Sequence, residues 1–262
     1  MPIKSDIFIV NLHVPAMLFE LITSIFAGII AIIIFKKWRE RRIKATLYLS
    51  IALMSISIAS FIGFTGLLSW FMLYISSGFT STYSPLYYQI SLPLAYLFVI
   101  PYDIFLILFT IQIFLNKNDK KVIPFLAVGV IIAVLLFMPN NYWGTNPIPM
   151  IDPPSIRTIV MALFLLYNVV IYIILAFYAF RESRITKEKL HKIGFNAIGL
   201  GQILNILVFM FFLMDSIVLL FNPASPGYTI YIDLAWISAL SASFMFYIGF
   251  ILPNWFRKII KS

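Results

Sequence analysis

Hydrophobic residues occur along the chain in seven long runs, separated by short polar or basic segments. A helix that crosses the hydrocarbon core of a bilayer needs about 20 residues, most of them apolar. The runs are close to that length or exceed it, and the connections between them are too short for a soluble domain. The pattern therefore predicts an all-α fold, a single seven-helix membrane domain over residues 1–262, with helices near 14–35, 45–75, 91–115, 122–138, 157–180, 195–221 and 230–252.

The composition agrees with this pattern. Hydrophobic residues make up 62% of the chain, charged residues make up 11%, and the mean hydropathy is +0.99. Soluble domains are close to half apolar and a quarter charged. We therefore expect an integral, multi-pass protein of the plasma membrane, with the lipid bilayer as its first partner.

The basic residues predict the orientation of the helices. In a seven-span chain, alternate connections lie on the same side, and four segments of one side carry all Lys and Arg except Lys4 and Arg157: 36–44, 116–121, 181–194 and 253–262. Basic connections remain in the cytoplasm, so the N-terminus is expected outside and the C-terminus inside. The net charge of +9 is explained by this topology and by attraction to anionic lipid, and no nucleic-acid partner is expected.

Four carboxylic acids fall inside the predicted spans, and each requires a physical explanation. A charged side chain at the centre of a spanning helix costs about 2.5–3.5 kcal/mol on an insertion scale. Asp103 lies at the middle of the third span, and the others lie in the outer halves of theirs: Glu20, Asp215 and Asp233.

Asp103 is the most deeply placed of these acids, and the span boundaries leave no basic side chain within its reach. Burial without a cation disfavours the ionised form, so we expect a neutral carboxyl group that hydrogen-bonds to other polar groups. The preceding Pro101 removes a backbone hydrogen bond nearby. Polar side chains at similar depth on the fifth, sixth and seventh helices are the candidate partners: Asn168, Gln202, Asn205 and Ser241.

Two interpretations of this polar cluster remain open. It is either a site that binds a ligand or a proton, or a set of interhelical hydrogen bonds that only joins the helices. Such bonds contribute about 0.6 kcal/mol each on average.

The acids of the outer halves suggest a second candidate site. His13 and Glu20 share a helix face, two turns apart. Together with Asp215 and Asp233 they would form an acidic vestibule that favours a cationic ligand, or that senses external pH through His13. The alternative is that these side chains are only solvated at the membrane interface.

Several classes of function are not expected. The sequence has no HExxH, no GxSxG and no paired aspartate-rich motif, so no catalytic residues are predicted and the chain is not expected to be an enzyme. It has no cysteine, hence no thiolate metal site. The last predicted helix lacks the lysine that a retinal-binding protein needs. No cofactor and no metal is predicted.

The layout resembles the seven-helix sensor regions that precede prokaryotic histidine kinases. The likeness covers the whole chain and depends on three features: the seven spans, the basic connection RITKEKLHKIGFNAIGLG, and the aromatic and basic exit FILPNWFRKIIK. It implies a sensory or receptor-like protein that responds to an outer ligand or pH and signals through its basic loops to a separate cytoplasmic or membrane protein partner. The alternatives are a small proton- or cation-coupled transporter and a non-catalytic subunit of a larger membrane complex.

Overall fold

The structure of the protein is a computed structural model. It describes the backbone of residues 3–77, 90–115, 119–136, 156–221 and 229–251, together with Pro253 and Phe256, and most of their side chains from Val14 onward. The described residues are 96% helical. The predicted all-α class is confirmed.

The described residues form seven α-helices. Six of them are long and apolar enough to cross a membrane, whereas α4 is described over 14 residues. A π-helical turn, Ile111–Leu115, extends α3, and a 3-10 turn, Asp119–Val122, precedes α4. The helices are α1 (Ile3–Arg41), α2 (Lys44–Ser76), α3 (Leu92–Thr110), α4 (Ile123–Leu136), α5 (Ile156–Ile185), α6 (Lys189–Phe221) and α7 (Ile230–Ile251). The protein is therefore a multi-pass integral membrane protein.

The basic connections are largely helical. Helix α1 continues to Arg41 and α2 begins at Lys44, so only two residues join them. Arg42 adopts the left-handed conformation (φ 54°), and its N–H donates to the Trp38 carbonyl at 2.7 Å. This geometry ends α1 in the way that a C-terminal cap does. The first helix therefore extends beyond the predicted 14–35.

Most of the basic segment 181–194 continues the fifth and sixth helices. Helix α5 ends at Ile185 and α6 begins at Lys189. The Ser183 hydroxyl also donates to the Lys192 carbonyl at 3.2 Å across this corner. This hydrogen bond therefore joins the two helices across the corner.

Neighbouring helices in the chain pack side by side, and the first helix also contacts the last. The largest contacts are α1 with α2, α6 with α7, α2 with α3 and α5 with α6, and α1 packs against α7. Helix α4 lies against α3 and α5. One apolar core extends through the bundle and contains most of the large buried side chains, Tyr172, Phe164 and Leu106 among them.

The outer surface of the bundle is apolar. Leu166, Phe177 and Val134 are each at least 60% exposed. Apolar patches of this kind are rare on soluble monomers. The exposed side chains therefore face the lipid, as the composition predicts.

Candidate functional site

The centre of α3 carries a carboxyl group that is sealed inside the bundle. Asp103 is 0% exposed, and neither of its oxygens has a hydrogen-bond partner among the described residues. Buried polar groups are hydrogen-bonded in the great majority of cases, and those without a partner often have a functional role. Asp103 is therefore the reference point of the candidate site, which we call the polar core.

The first side of the polar core joins α3 to α6. The amide nitrogen of Asn205 donates to the Tyr102 hydroxyl oxygen at 2.8 Å. The same nitrogen lies 3.4 Å from the amide oxygen of Gln202, one turn away on α6. Gln202 is 1% exposed and Asn205 is 9% exposed, so both amides are shielded from lipid and water.

The second side of the polar core lies on α5. The Tyr172 hydroxyl donates to the amide oxygen of Asn168 at 3.1 Å. The amide nitrogen of Asn168 donates to the Phe164 carbonyl at 2.6 Å, one turn earlier in the helix. Both polar groups of Asn168 are therefore satisfied within α5.

Three tyrosines face Asp103. Its carboxyl group interacts electrostatically with the hydroxyls of Tyr102 from α3 and of Tyr167 and Tyr172 from α5. The Tyr102 and Tyr172 rings pack against each other, with centroids 6.3 Å apart. The carboxyl group is thus surrounded by weakly acidic hydroxyls, and no Lys, Arg or His among the described residues pairs with it.

Tyr172 faces both Asp103 and an alternative acceptor on its own helix. Its hydroxyl is close to Asp103, but the contact does not meet the geometry of a hydrogen bond. The hydrogen bond goes to Asn168 instead. The Tyr172 hydroxyl therefore lies near two acceptors, Asn168 and Asp103, and donates only to Asn168.

Tyr167 connects the polar core to α4. Its hydroxyl donates to the Phe125 carbonyl at 3.1 Å. A Cβ atom on Gly129 would lie 2.9 Å from the same hydroxyl, so the absence of a side chain at Gly129 lets the hydroxyl approach α4. The polar core thus touches four helices.

The sequence predicted Asn168, Asn205 and Gln202 as hydrogen-bond partners of Asp103, and this prediction is wrong for the described residues, since neither Asp103 oxygen has a partner among them. The three amides lie beside the tyrosines that face Asp103: Asn168 accepts from Tyr172, and Asn205 donates to Tyr102 and Gln202. Ser241 does not join them: the side chain is half-buried on α7 and makes no hydrogen bond to another described residue. The three tyrosines were missed. Their signal was present, since a tyrosine hydroxyl within hydrocarbon requires a partner.

Asp215 has a structural contact at the start of α7. One of its carboxylate oxygens accepts from the Thr229 N–H at 2.9 Å and from the Thr229 hydroxyl at 2.6 Å. The Thr229 hydroxyl oxygen in turn accepts from the Tyr231 N–H at 3.3 Å, as an N-cap does. Asp215 therefore fixes the cap of the next helix.

The other acids lie apart from this contact. Glu20 is buried between α1 and α2 against Gly63, and Asp233 is buried in the first turn of α7, where one oxygen has no described partner. His13 belongs to α1, and its side chain lies outside the described residues. The three acids thus lie in three different packing environments.

No known protein family, characterised protein or solved structure matches this chain. Among the described residues, no group of three His, Cys, Asp or Glu side chains is arranged to hold a metal ion. The functional argument therefore starts from the polar core itself.

Proposed function

We propose that this protein is a sensory or receptor-like protein of the plasma membrane, with seven spans, the N-terminus outside and the C-terminus in the cytoplasm. In this proposal the polar core responds to a proton or a small ligand that arrives from outside. The basic connections carry the change to a separate protein partner. One observation supports the proposal most: the Tyr172 hydroxyl donates to Asn168, while Asp103, which it also faces, has no hydrogen-bond partner in the described part of the chain.

This arrangement has two discrete states. When Asp103 is ionised, its charge attracts the Tyr172 proton more strongly than the neutral Asn168 amide does, because hydrogen bonds to charged groups are the stronger ones. When Asp103 is neutral, Tyr172 donates to Asn168. Gain or loss of a proton at Asp103 therefore breaks or forms a hydrogen bond that joins α3 to α5. The titratable groups that face Asp103 are Tyr102, Tyr167 and Tyr172.

Helix α5 provides the path to the basic end. Tyr172 and Ile185 belong to the same helix, and about 20 Å of helix axis separates them. The corner after Ile185 leads directly into α6, which carries Gln202 and Asn205. A shift of α5 against α3 therefore moves the basic segment 181–194, in the manner of the small helix shifts that switch other proteins.

A count of seven spans requires that α4 also crosses the membrane, and the surface of α4 supports this. Its exposed side chains are apolar, with Val130, Ile131 and Val134 all more than half exposed. Its axis begins directly after the basic turn Asp119–Val122. We therefore include α4 among the spans, over the predicted 122–138.

Cysteine labelling tests this topology, since the chain has no cysteine of its own. We expect a membrane-impermeant maleimide added to intact cells to label Asn141→Cys and to leave Glu40→Cys unlabelled until the membrane is opened. The reason is that an odd number of crossings separates 36–44 from 139–156 in a seven-span chain. Labelling of both positions in intact cells contradicts the topology, and the cysteine-free chain is the background control.

The switch predicts that external pH changes the environment of the α5–α6 corner. In proteoliposomes we expect the labelling rate of Lys187→Cys to change with external pH by at least about fivefold, the lower end of typical coupling between distant sites. Asp103→Asn and Tyr172→Phe should each abolish this change, because each removes one of the two states. The measurement is the rate of reaction with a membrane-permeant maleimide at two external pH values, with the pH of the compartment that contains residue 187 held constant, because maleimide reacts with the thiolate.

Tyr178→Phe is the matched control, since this tyrosine also lies on α5 but packs against Phe114. It should keep the full pH response. An unchanged rate in the parent chain would contradict a proton-responsive switch. Solute flux into the same liposomes that disappears in Asp103→Asn would favour a transporter instead.

A further inference from the structure

A second set of polar groups without partners lies between α1 and α2, away from the polar core. Glu20, Thr23 and Ser60 are 3%, 1% and 2% exposed. The atoms Glu20 Oε2, Thr23 Oγ1 and Ser60 Oγ have no hydrogen-bond partner among the described residues. Three buried oxygens on two contacting helices are thus left unsatisfied.

The residues that carry these oxygens lie in one patch of the α1–α2 interface. Glu20 and Thr23 are one turn apart on α1, and Ser60 and Gly63 are one turn apart on α2. A Cβ atom on Gly63 would lie 3.0 Å from the Glu20 carboxyl carbon and from both of its oxygens. The backbone of α2 therefore passes directly against the carboxyl group.

The register of the two helices is fixed by the next contact along the interface. The Ser24 hydroxyl donates to the Ser57 carbonyl at 2.9 Å, and the Ser57 hydroxyl donates to the Ser24 carbonyl at 2.7 Å. Thr23 is adjacent to Ser24, and Ser60 lies one turn from Ser57. This reciprocal pair therefore holds Thr23 and Ser60 at the same level of the bundle.

The two free hydroxyls differ from others in this protein. A Ser or Thr within a helix can donate to the carbonyl four residues earlier. Four hydroxyls of this chain do so, at 2.8–3.0 Å: Ser55, Thr110, Ser238 and Ser243. Thr23 and Ser60 do not use this bond. Their oxygens therefore remain available to another group.

We propose that Glu20, Thr23 and Ser60 bind a sodium ion between α1 and α2. Carboxylate and hydroxyl oxygens are hard ligands, which suit hard cations. The patch holds a single carboxylate, so one monovalent cation balances its charge. A divalent ion would leave an uncompensated positive charge in a medium of low dielectric constant, which is costly.

Thermal unfolding of the purified full-length chain in detergent tests this site. We compare NaCl with KCl and choline chloride at equal ionic strength and follow the tryptophan fluorescence. A ligand that binds only the folded state raises the Tm with its concentration. We expect NaCl to raise the Tm saturably, and the two other salts to raise it less.

The variants Thr23→Val and Ser60→Ala remove one oxygen each while changing little volume. Each should raise the apparent Kd for Na⁺ by at least about tenfold, the smallest loss typical of altered metal surroundings. Ser55→Ala is the matched control, because its hydroxyl donates to the Ile51 carbonyl of its own helix and does not belong to the patch. It should keep the Na⁺ dependence of the parent chain. Equilibrium binding of radioactive Na⁺ to the same variants gives the affinity directly, also for a variant with a lower Tm.

Two results would overturn the proposal. Equal stabilisation by the three salts would mean that only ionic strength acts. Unchanged Na⁺ affinity in Thr23→Val and Ser60→Ala would mean that the ion binds elsewhere. Neither result affects the polar core, whose switch involves α3, α5 and α6.

Discussion

Replacement of Asp215 with alanine is expected to lower the free energy of unfolding by roughly 2–3 kcal/mol, because two donors then lose their acceptor. The N–H and the hydroxyl of Thr229 both donate to the same carboxylate oxygen. The side chain of Asp215 is 6% exposed, so water cannot easily replace it. The loss also reaches the cap of α7, since the Thr229 hydroxyl oxygen accepts from Tyr231.

Chemical or thermal unfolding of the purified chain measures this effect. Two further variants serve as comparisons. Asp215→Asn keeps an acceptor oxygen and should lose much less stability than Asp215→Ala. Asp233→Asn alters an acid of α7 that has one unpartnered oxygen, and it should change stability little. Equal stability of Asp215→Ala and Asp233→Asn would contradict the role assigned to Asp215.

The contrast between these acids shows what depth along a span can predict. Counting residues along each span places Glu20, Asp215 and Asp233 in the outer halves of their helices. Their environments depend on the neighbours that each helix face meets: Gly63 for Glu20 and Thr229 for Asp215. The rotation of a helix about its axis is set by packing against other helices, which composition does not specify.

Because the sequence does not specify helix rotation, only some members of the polar core could be predicted. The cost of a buried carboxyl predicts polar groups near Asp103, and Asn168 and Asn205 bond to tyrosines that face it, although not to Asp103 itself. Ser241 lies at a suitable depth and is not in the polar core. The tyrosines were overlooked because a tyrosine is mostly apolar, and its polar end is noticed only when its burial is known.

The ends of α2 and α7 agree with the prediction to within one residue, whereas the basic ends of α1, α5 and α6 extend beyond it. Hydropathy locates the part of a helix that lies in hydrocarbon. Lys and Arg are good helix formers, so α1 continues through its basic residues to Arg41 and α5 continues to Ile185. Helix ends beyond the membrane depend on capping geometry, such as the left-handed Arg42, and not on hydrophobicity.

Close packing of α6 against α7 depends on Gly249. We expect Gly249→Ala to destabilise the protein more than the addition of a methyl group at any other position of that interface. A Cβ atom on Gly249 would lie 2.6 Å from Ile198 Cγ1 and 2.9 Å from the Gly194 carbonyl oxygen. The Ile198 side chain can rotate, but the carbonyl belongs to the backbone of α6. Gly249→Ala therefore has to move the two helices apart, and overpacking of this kind costs typically 1–3 kcal/mol.

Gly199→Ala is the comparison that isolates this effect. It also adds one methyl group within a helix, so both variants gain the same helix propensity of about 1 kcal/mol. The added Cβ at Gly199 would meet only the Phe180 ring, at 2.8 Å, and a ring can pivot where a backbone carbonyl cannot. We expect Gly249→Ala to have the lower Tm of the two in parallel thermal unfolding experiments. If Gly249→Ala were as stable as Gly199→Ala, α6 and α7 would have to be packed less closely than the structure indicates.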